Sequence, residues 1–167
     1  MNEGRPIQVD PKALRGDGLR VAVVAARFNP DITESLLAGA LETLRTRGVP
    51  EAGLLVCRVP GAFELAPTAR RLARQGFDAV VCLGAVIEGG TDHYRYVCDA
   101  VTAGLTQVAQ EAALWGRHGV AVAFGVLTTR TPAQAQARAG GAEGNKGIDA
   151  ALAALEVARL WRALPEP

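Results

Sequence analysis

Four apolar runs, Leu19–Ala26, Gly53–Val59, Ala79–Ile87 and Val120–Leu127, constrain this chain more than any other feature. A half-exposed strand alternates apolar with polar residues. An apolar, β-branched run without that alternation instead reads as a strand buried on both faces of a parallel sheet. A helical pattern follows each run. Asp31 and Glu34 form a capping-box-like pair opening the first helix, whose Ile32, Leu36, Leu37, Leu41 and Leu44 share a face, and Gly48 ends it. The second helix spans about Ala62–Arg74. The third carries Val97, Val101, Leu105, Val108 and Ala112 at helical spacing and ends near Gly116. Thr131-Pro132 is a cap and first-turn pair for a short helix. A glycine-rich loop, Gly140–Gly147, then leads to a last helix bearing Ile148, Leu152, Leu155 and Trp161. Strand–helix alternation four times over implies right-handed crossovers, hence a three-layer α/β/α sandwich with a four-stranded parallel sheet. The reading is one domain over residues 19–163, with residues 1–18 loosely held.

Composition narrows the class of function. With 167 residues the chain suits a single core, and 49% hydrophobic against 21% charged residues excludes a disordered or fibrous class. A net charge of +1 gives no electrostatic reason to expect nucleic acid or an anionic membrane as partner. No apolar run reaches membrane-helix length, and MNEGRPIQVDPK lacks the apolar core of a signal peptide. Cys57, Cys82 and Cys98 are odd in number and fit free thiols in a reducing cytoplasm. His93 and His118 are the only histidines, and no Cys/His spacing matches a metal site.

In an open parallel sheet, ligands bind beyond the carboxyl ends of the strands. Unusual residues collect at those ends here: Arg27-Phe28-Asn29, then Pro60 to Glu64, then Glu88 to Tyr94, then Phe124 to Thr129. Gly89-Gly90-Thr91 leads into a helix, where free backbone N–H groups suit a phosphate. An ordinary glycine turn with a threonine cap would read the same way. His93 falls in the first turn of that helix, either as a structural histidine or as a proton relay. Glu64 is either a favourable helix-end charge or an acceptor for ligand hydroxyls. Phe28 and Phe124 lie at strand ends, as core-edge residues or as rings that stack on a flat heterocycle. Arg138 and Lys146 flank the glycine-rich loop, solvated or holding an anion. Two tempting motifs fail. Asn145 stands where a phosphate-binding P-loop needs glycine before Lys146, and Gly16-Asp17-Gly18 precedes the first strand instead of following it.

Five segments in this order carry a resemblance: ARFNPDIT (Ala26–Thr33), VPGAFELAP (Val59–Pro67), LGAVIEGGTDHYRYVCD (Leu83–Asp99), FGVLTTRTPAQAQARAG (Phe124–Gly140) and GNKGIDAA (Gly144–Ala151). From about Leu19 to Trp161 the chain resembles the lumazine synthase family. The resemblance implies a flavodoxin-like fold. It also implies a cofactor-free condensation of 5-amino-6-(D-ribitylamino)uracil with 3,4-dihydroxy-2-butanone 4-phosphate in riboflavin biosynthesis.

Carried over residue by residue, it places Phe28 on the uracil ring, with Ala62, Phe63 and Glu64 along the ribityl chain. Ala85, Val86 and Ile87 would offer backbone groups to the pyrimidine. Gly90 and Thr91 would receive the phosphate, and His93 would carry protons. Phe124 and Arg138 would arrive from a neighbouring subunit, Arg138 on the phosphate, while Lys146 assists the pyrimidine side. The resemblance further implies a homopentamer, an icosahedral 60-mer built from twelve of them, and riboflavin synthase as a partner. The short stretch between Arg138 and Lys146 is what points to the shell. Three positions depart from the family pattern. Glu88 stands where a basic residue is common, Arg95 where an acidic one is common, and Ala121 where proline is common.

Overall fold

The computed structural model describes residues 6–165. Its sheet consists of β1 (Val21–Ala26), β2 (Leu54–Val59), β3 (Ala79–Ile87) and β4 (Ala121–Thr129), all parallel, in the order β2-β1-β3-β4. Helices α1 (Pro30–Thr46), α2 (Leu65–Ala73) and α3 (His93–Ala112) follow the first three strands. After β4 come α4 (Pro132–Arg138), a small antiparallel hairpin of β5 (Ala139–Gly141) and β6 (Gly144–Asn145), and α5 (Lys146–Ala163). The fold is the expected α/β sandwich with a four-stranded parallel sheet.

Side-chain alternation along each strand divides the core in two. Val21, Val23, Val81 and Leu83 point to one face and pack with α1, α4 and α5. Ala22, Val24, Val80 and Cys82 point to the other and pack with α2 and α3. Every residue of β1 is buried, as its composition requires. The Cys82 thiol lies wholly inside, and burial pushes its pKa up to about 12.

Four expectations need correction. β2 and β4 are not buried on both faces: strand order makes them the two edges of the sheet, and Leu55, Val56 and Phe124 are exposed. Asp31 and Glu34 do not open α1 as a capping box. Asn29 is the N-cap residue, in the left-handed region at φ 57°, with Pro30 in the first turn, and Glu34 instead pairs with Arg58 of β2. The loop from Gly140 to Gly147 is the β5–β6 hairpin. Asn145 ends it as the cap of α5, accepting from the N–H groups of Gly147 and Ile148 and donating through Nδ2 to Ser35 O at 2.9 Å. Gly147 lies so close to the backbone of Leu36 that a side chain there would collide with it.

The stretch before β1 is the fourth. From Leu14 onward it is tied down, Leu14 itself being only 2% exposed within the α1/α5 core. Gly16 N donates to Arg47 O at 2.7 Å, and the Arg159 guanidinium clamps the carbonyls of Arg15 and Asp17 at 2.8 and 2.6 Å. Burying one leucine side chain is worth about 1.5–3 kcal/mol, enough to fix a short segment. Residues 1–5 lie outside the described residues.

Candidate active site

The sheet itself makes the first cleft. β1 pairs with β3 only as far as Leu83, whereas β3 runs on to Ile87 with β4 alone beside it. Among the described residues, the β1-side edge of β3 from Gly84 to Ile87 is therefore left without a strand partner. Asn29 reaches one group on it, Nδ2 donating to Ala85 O at 2.9 Å. The left-handed turn at Asn29 that makes this reach feasible also throws Phe28 outward, 70% exposed. Arg27 and Phe28 donate their N–H groups to Val59 O and Pro60 O at 2.8 and 3.1 Å, so the ends of β1 and β2 descend together.

Beyond β2 the chain turns through Gly61 into a 3₁₀ turn, Ala62–Glu64. Glu64 Oε2 accepts from Gly61 N at 2.9 Å, so the carboxylate holds the turn in place while lining the cleft. Phe63 is 62% exposed at the mouth, while Ala62 is buried beneath it. Across the cleft, Gly89 and Gly90 are open turn residues with no atoms crowding the place of a side chain. Asp92, not Thr91, occupies the N-cap position of α3, and its side chain makes no capping bond. His93 begins the helix, exposed, followed by Tyr94.

These parts enclose a cleft of about 590 Å³. It is lined by Phe28, Ala62, Phe63, Glu64, Ala85, Val86, Ile87, Thr91 and His93, with Gly90 between Thr91 and the lining Gly89. Tyr94 and Val97 also line it, and neither was given a site role from sequence. Tyr94 follows the conspicuous His93 and reads as an ordinary helix residue, so nothing marks it until the helix is in place. Its phenol is raised above the ordinary value, chiefly by loss of solvent, then by Cys98, to which it hydrogen-bonds, and by Glu88, with Arg130 opposing. It stays protonated at neutral pH, a donor and not a base.

Phe124, Arg138 and Lys146 lie elsewhere. They line a second cleft of about 680 Å³ along β4, bounded by α4 and the start of α5. Phe124 is 46% exposed there. Arg138 is held by Nη1 donating to Gln134 O at 3.1 Å, and Lys146 Nζ pairs with Asp149 at 2.7 Å. Thr131 caps α4 as its sequence implies, accepting from Gln134 N. β4 is the last strand of the sheet, so this cleft opens on the opposite edge from β2. Glu88 and Arg95 are not partners of each other. Glu88 faces Arg130, Oε2 to Nε 4.0 Å.

Residues 18–162 match the family described as 6,7-dimethyl-8-ribityllumazine synthase. A protein of that name from Kineococcus radiotolerans is 54% identical over 157 residues, covering 92% of this chain and 89% of its own. One from Anaeromyxobacter sp. strain K is 50% identical over 153 residues, covering 91% of each. The chain belongs to the 6,7-dimethyl-8-ribityllumazine synthase family. Members of this family are enzymes, and the two clefts hold every residue that the family resemblance singles out or, for Gly90, flank it. Among the described residues no group of three or more His, Cys, Asp or Glu side chains is placed to hold a metal ion, and no helix is long and apolar enough to cross a membrane.

Proposed function

We propose that this chain condenses 5-amino-6-(D-ribitylamino)uracil with 3,4-dihydroxy-2-butanone 4-phosphate to give 6,7-dimethyl-8-ribityllumazine, inorganic phosphate and two waters, in riboflavin biosynthesis. One observation carries the reading. A single cleft combines an exposed ring at Phe28, an unpartnered strand edge at Gly84–Ile87, a carboxylate at Glu64, an open glycine turn and His93. A flat pyrimidine stacks on Phe28 and pairs with the backbone edge of Val86 and Ile87 and the remaining lone pair of Ala85 O. Its ribityl hydroxyls donate to Glu64 and run along Ala62 and Phe63. The phosphate sits on Gly90 and Thr91 at the start of α3, where backbone N–H groups and the helix dipole favour an anion.

The arylamine attacks the ketone and loses water to form an imine. Phosphate then leaves, the resulting enol tautomerises, and ring closure expels the second water. His93, beside the phosphate turn, moves protons in the imine and phosphate-loss steps. No step needs a cofactor.

The site is completed by a second copy. Phe124, Arg138 and Lys146 face a cleft on the outer side of β4, so they serve a site belonging to the adjoining subunit, Arg138 on its phosphate. A closed ring of five copies of the 17.4 kDa chain, about 87 kDa, satisfies every such contact. The short β5–β6 hairpin suits further packing of twelve pentamers into a shell of roughly 1 MDa, in which riboflavin synthase is the expected companion. The assembly is assigned to the cytoplasm.

Mixing both substrates with the protein should produce lumazine fluorescence well above the uncatalysed rate, and omission of either substrate should abolish it. Fluorescence no faster than the protein-free control rejects the reaction. Light scattering on a sizing column tests assembly. A monomer rejects the shared site, and a peak at one or two pentamers rejects the shell.

A further inference from the structure

Glu88 immediately precedes the Gly89-Gly90-Thr91 turn, where a carboxylate works against any bound anion. The strand register decides what faces it. Ile87 pairs with Thr129, and Glu88 N donates to Thr129 O at 2.9 Å, so Glu88 and Arg130 are the residues just past the same rung of β3 and β4. The backbone around Arg130 is fixed, its N–H donating to Gln134 Oε1 at 3.0 Å and Thr129 Oγ1 to Thr131 O at 3.1 Å. Its guanidinium, 84% exposed, lies 4.0 Å from the Glu88 carboxylate. Ile87 and Gly89, on either side of Glu88, both line the first cleft, which puts the pair at its rim.

We propose that Arg130 is a positioning residue for the phosphorylated substrate: held against Glu88, its guanidinium offsets the carboxylate's repulsion at the glycine turn and so sets phosphate affinity. The inference rests on the phosphate position proposed above. A phosphate carries about −1.5 to −2 charges at neutral pH, so an unscreened carboxylate one residue from its turn would be felt. As Arg130 acts through Glu88, it need not touch the substrate.

The test is a double-mutant cycle with Arg130→Gln, Glu88→Gln and the pair together. Two readouts are taken: steady-state kinetics with each substrate varied, and titration with inorganic phosphate alone. Arg130→Gln should raise the KM for the butanone phosphate and the Kd for inorganic phosphate roughly three- to tenfold, the scale of a partly screened surface charge. kcat and the KM for the pyrimidine should stay within about twofold, and the effect should shrink at about 1 M salt. The double variant should return to within about twofold of the parent, since no uncompensated carboxylate remains. Unchanged phosphate affinity in Arg130→Gln overturns the proposal. So does an equal loss in the single and double variants, because Glu88 would then not be what Arg130 offsets. Equal weakening toward the pyrimidine also overturns it, showing a structural role. A parent protein that makes no lumazine rejects the reaction, while the phosphate titration still judges the pair. A parent that does not bind phosphate rejects the pair as well.

Discussion

The two clefts are built on opposite principles. The first is an internal product of topology: β3 outruns β1, the chain turns sharply at Asn29 and Gly61, and the start of α3 closes the far wall. The second is the flank of an edge strand, with Phe124 standing outward and Arg138 and Lys146 beside it. The first brings together a ring, a backbone edge, a carboxylate and an imidazole. The second presents an aromatic ring and two cations, Arg138 bonded to Gln134 O and Lys146 paired with Asp149. Under the proposed assembly each chain supplies one part of two sites, and that is what the comparison of the clefts puts to the test.

The largest expected effect tests whether chemistry belongs to the first cleft alone. His93→Ala should lower kcat by roughly 100-fold, general acid–base catalysis being worth about 10²–10⁴-fold and the uncatalysed condensation masking part of it. Pyrimidine binding should be almost unaffected, and an unchanged kcat in the folded variant would remove His93 from the mechanism. Next, Arg138→Ala should raise KM for the butanone phosphate about ten- to a hundredfold, the worth of a charge-assisted contact. Arg138→Lys should recover only part of this, because the guanidinium fork is lost. Equal weakening toward both substrates would make Arg138 structural. A sharper test dissociates these two weakened variants and reassembles them together. Random mixing joins an intact first cleft to an intact second cleft at about a quarter of the interfaces, so activity should rise to about that fraction of the parent. No gain over the separate variants would place both clefts' functions within one chain. The smallest effect compares rings. Phe28→Ala should weaken pyrimidine binding about two- to tenfold, the scale of aromatic stacking, and Phe124→Ala by no more. Isothermal titration of the pyrimidine would measure both.

Much of the first cleft was legible because its residues lie at the ends of recognisable strands, and parallel sheets bind ligands there. β3, predicted as Ala79–Ile87, begins and ends where expected. What local pattern could not carry was long-range. β2 is mostly apolar and is an edge, and the one charged residue in Leu54–Val59, the exposed Arg58, is the only local mark of that place. Leu14 sits in a polar stretch without periodicity, and the groups that anchor its segment, Arg47 and Arg159, are far away in sequence. Asp31 and Glu34 imitate a capping box, but Asn29 and Pro30 set the helix start first. The facing of Glu88 and Arg130 depends on the β3–β4 register, which becomes visible only when the strands are paired.

Cys82, sealed in the middle of β3, gives the protein a built-in clock for its own unfolding. Its raised pKa means that ionisation favours the unfolded chain. The thiol's contribution to stability is whole below about pH 9 and drains away as the pH climbs from there through about 12. Below that window a thiol-reactive dye reaches Cys82 only when β3 leaves the sheet. In a chain carrying Cys57→Ser and Cys98→Ser, the slow labelling rate would read the opening of the central strand directly, with no denaturant present.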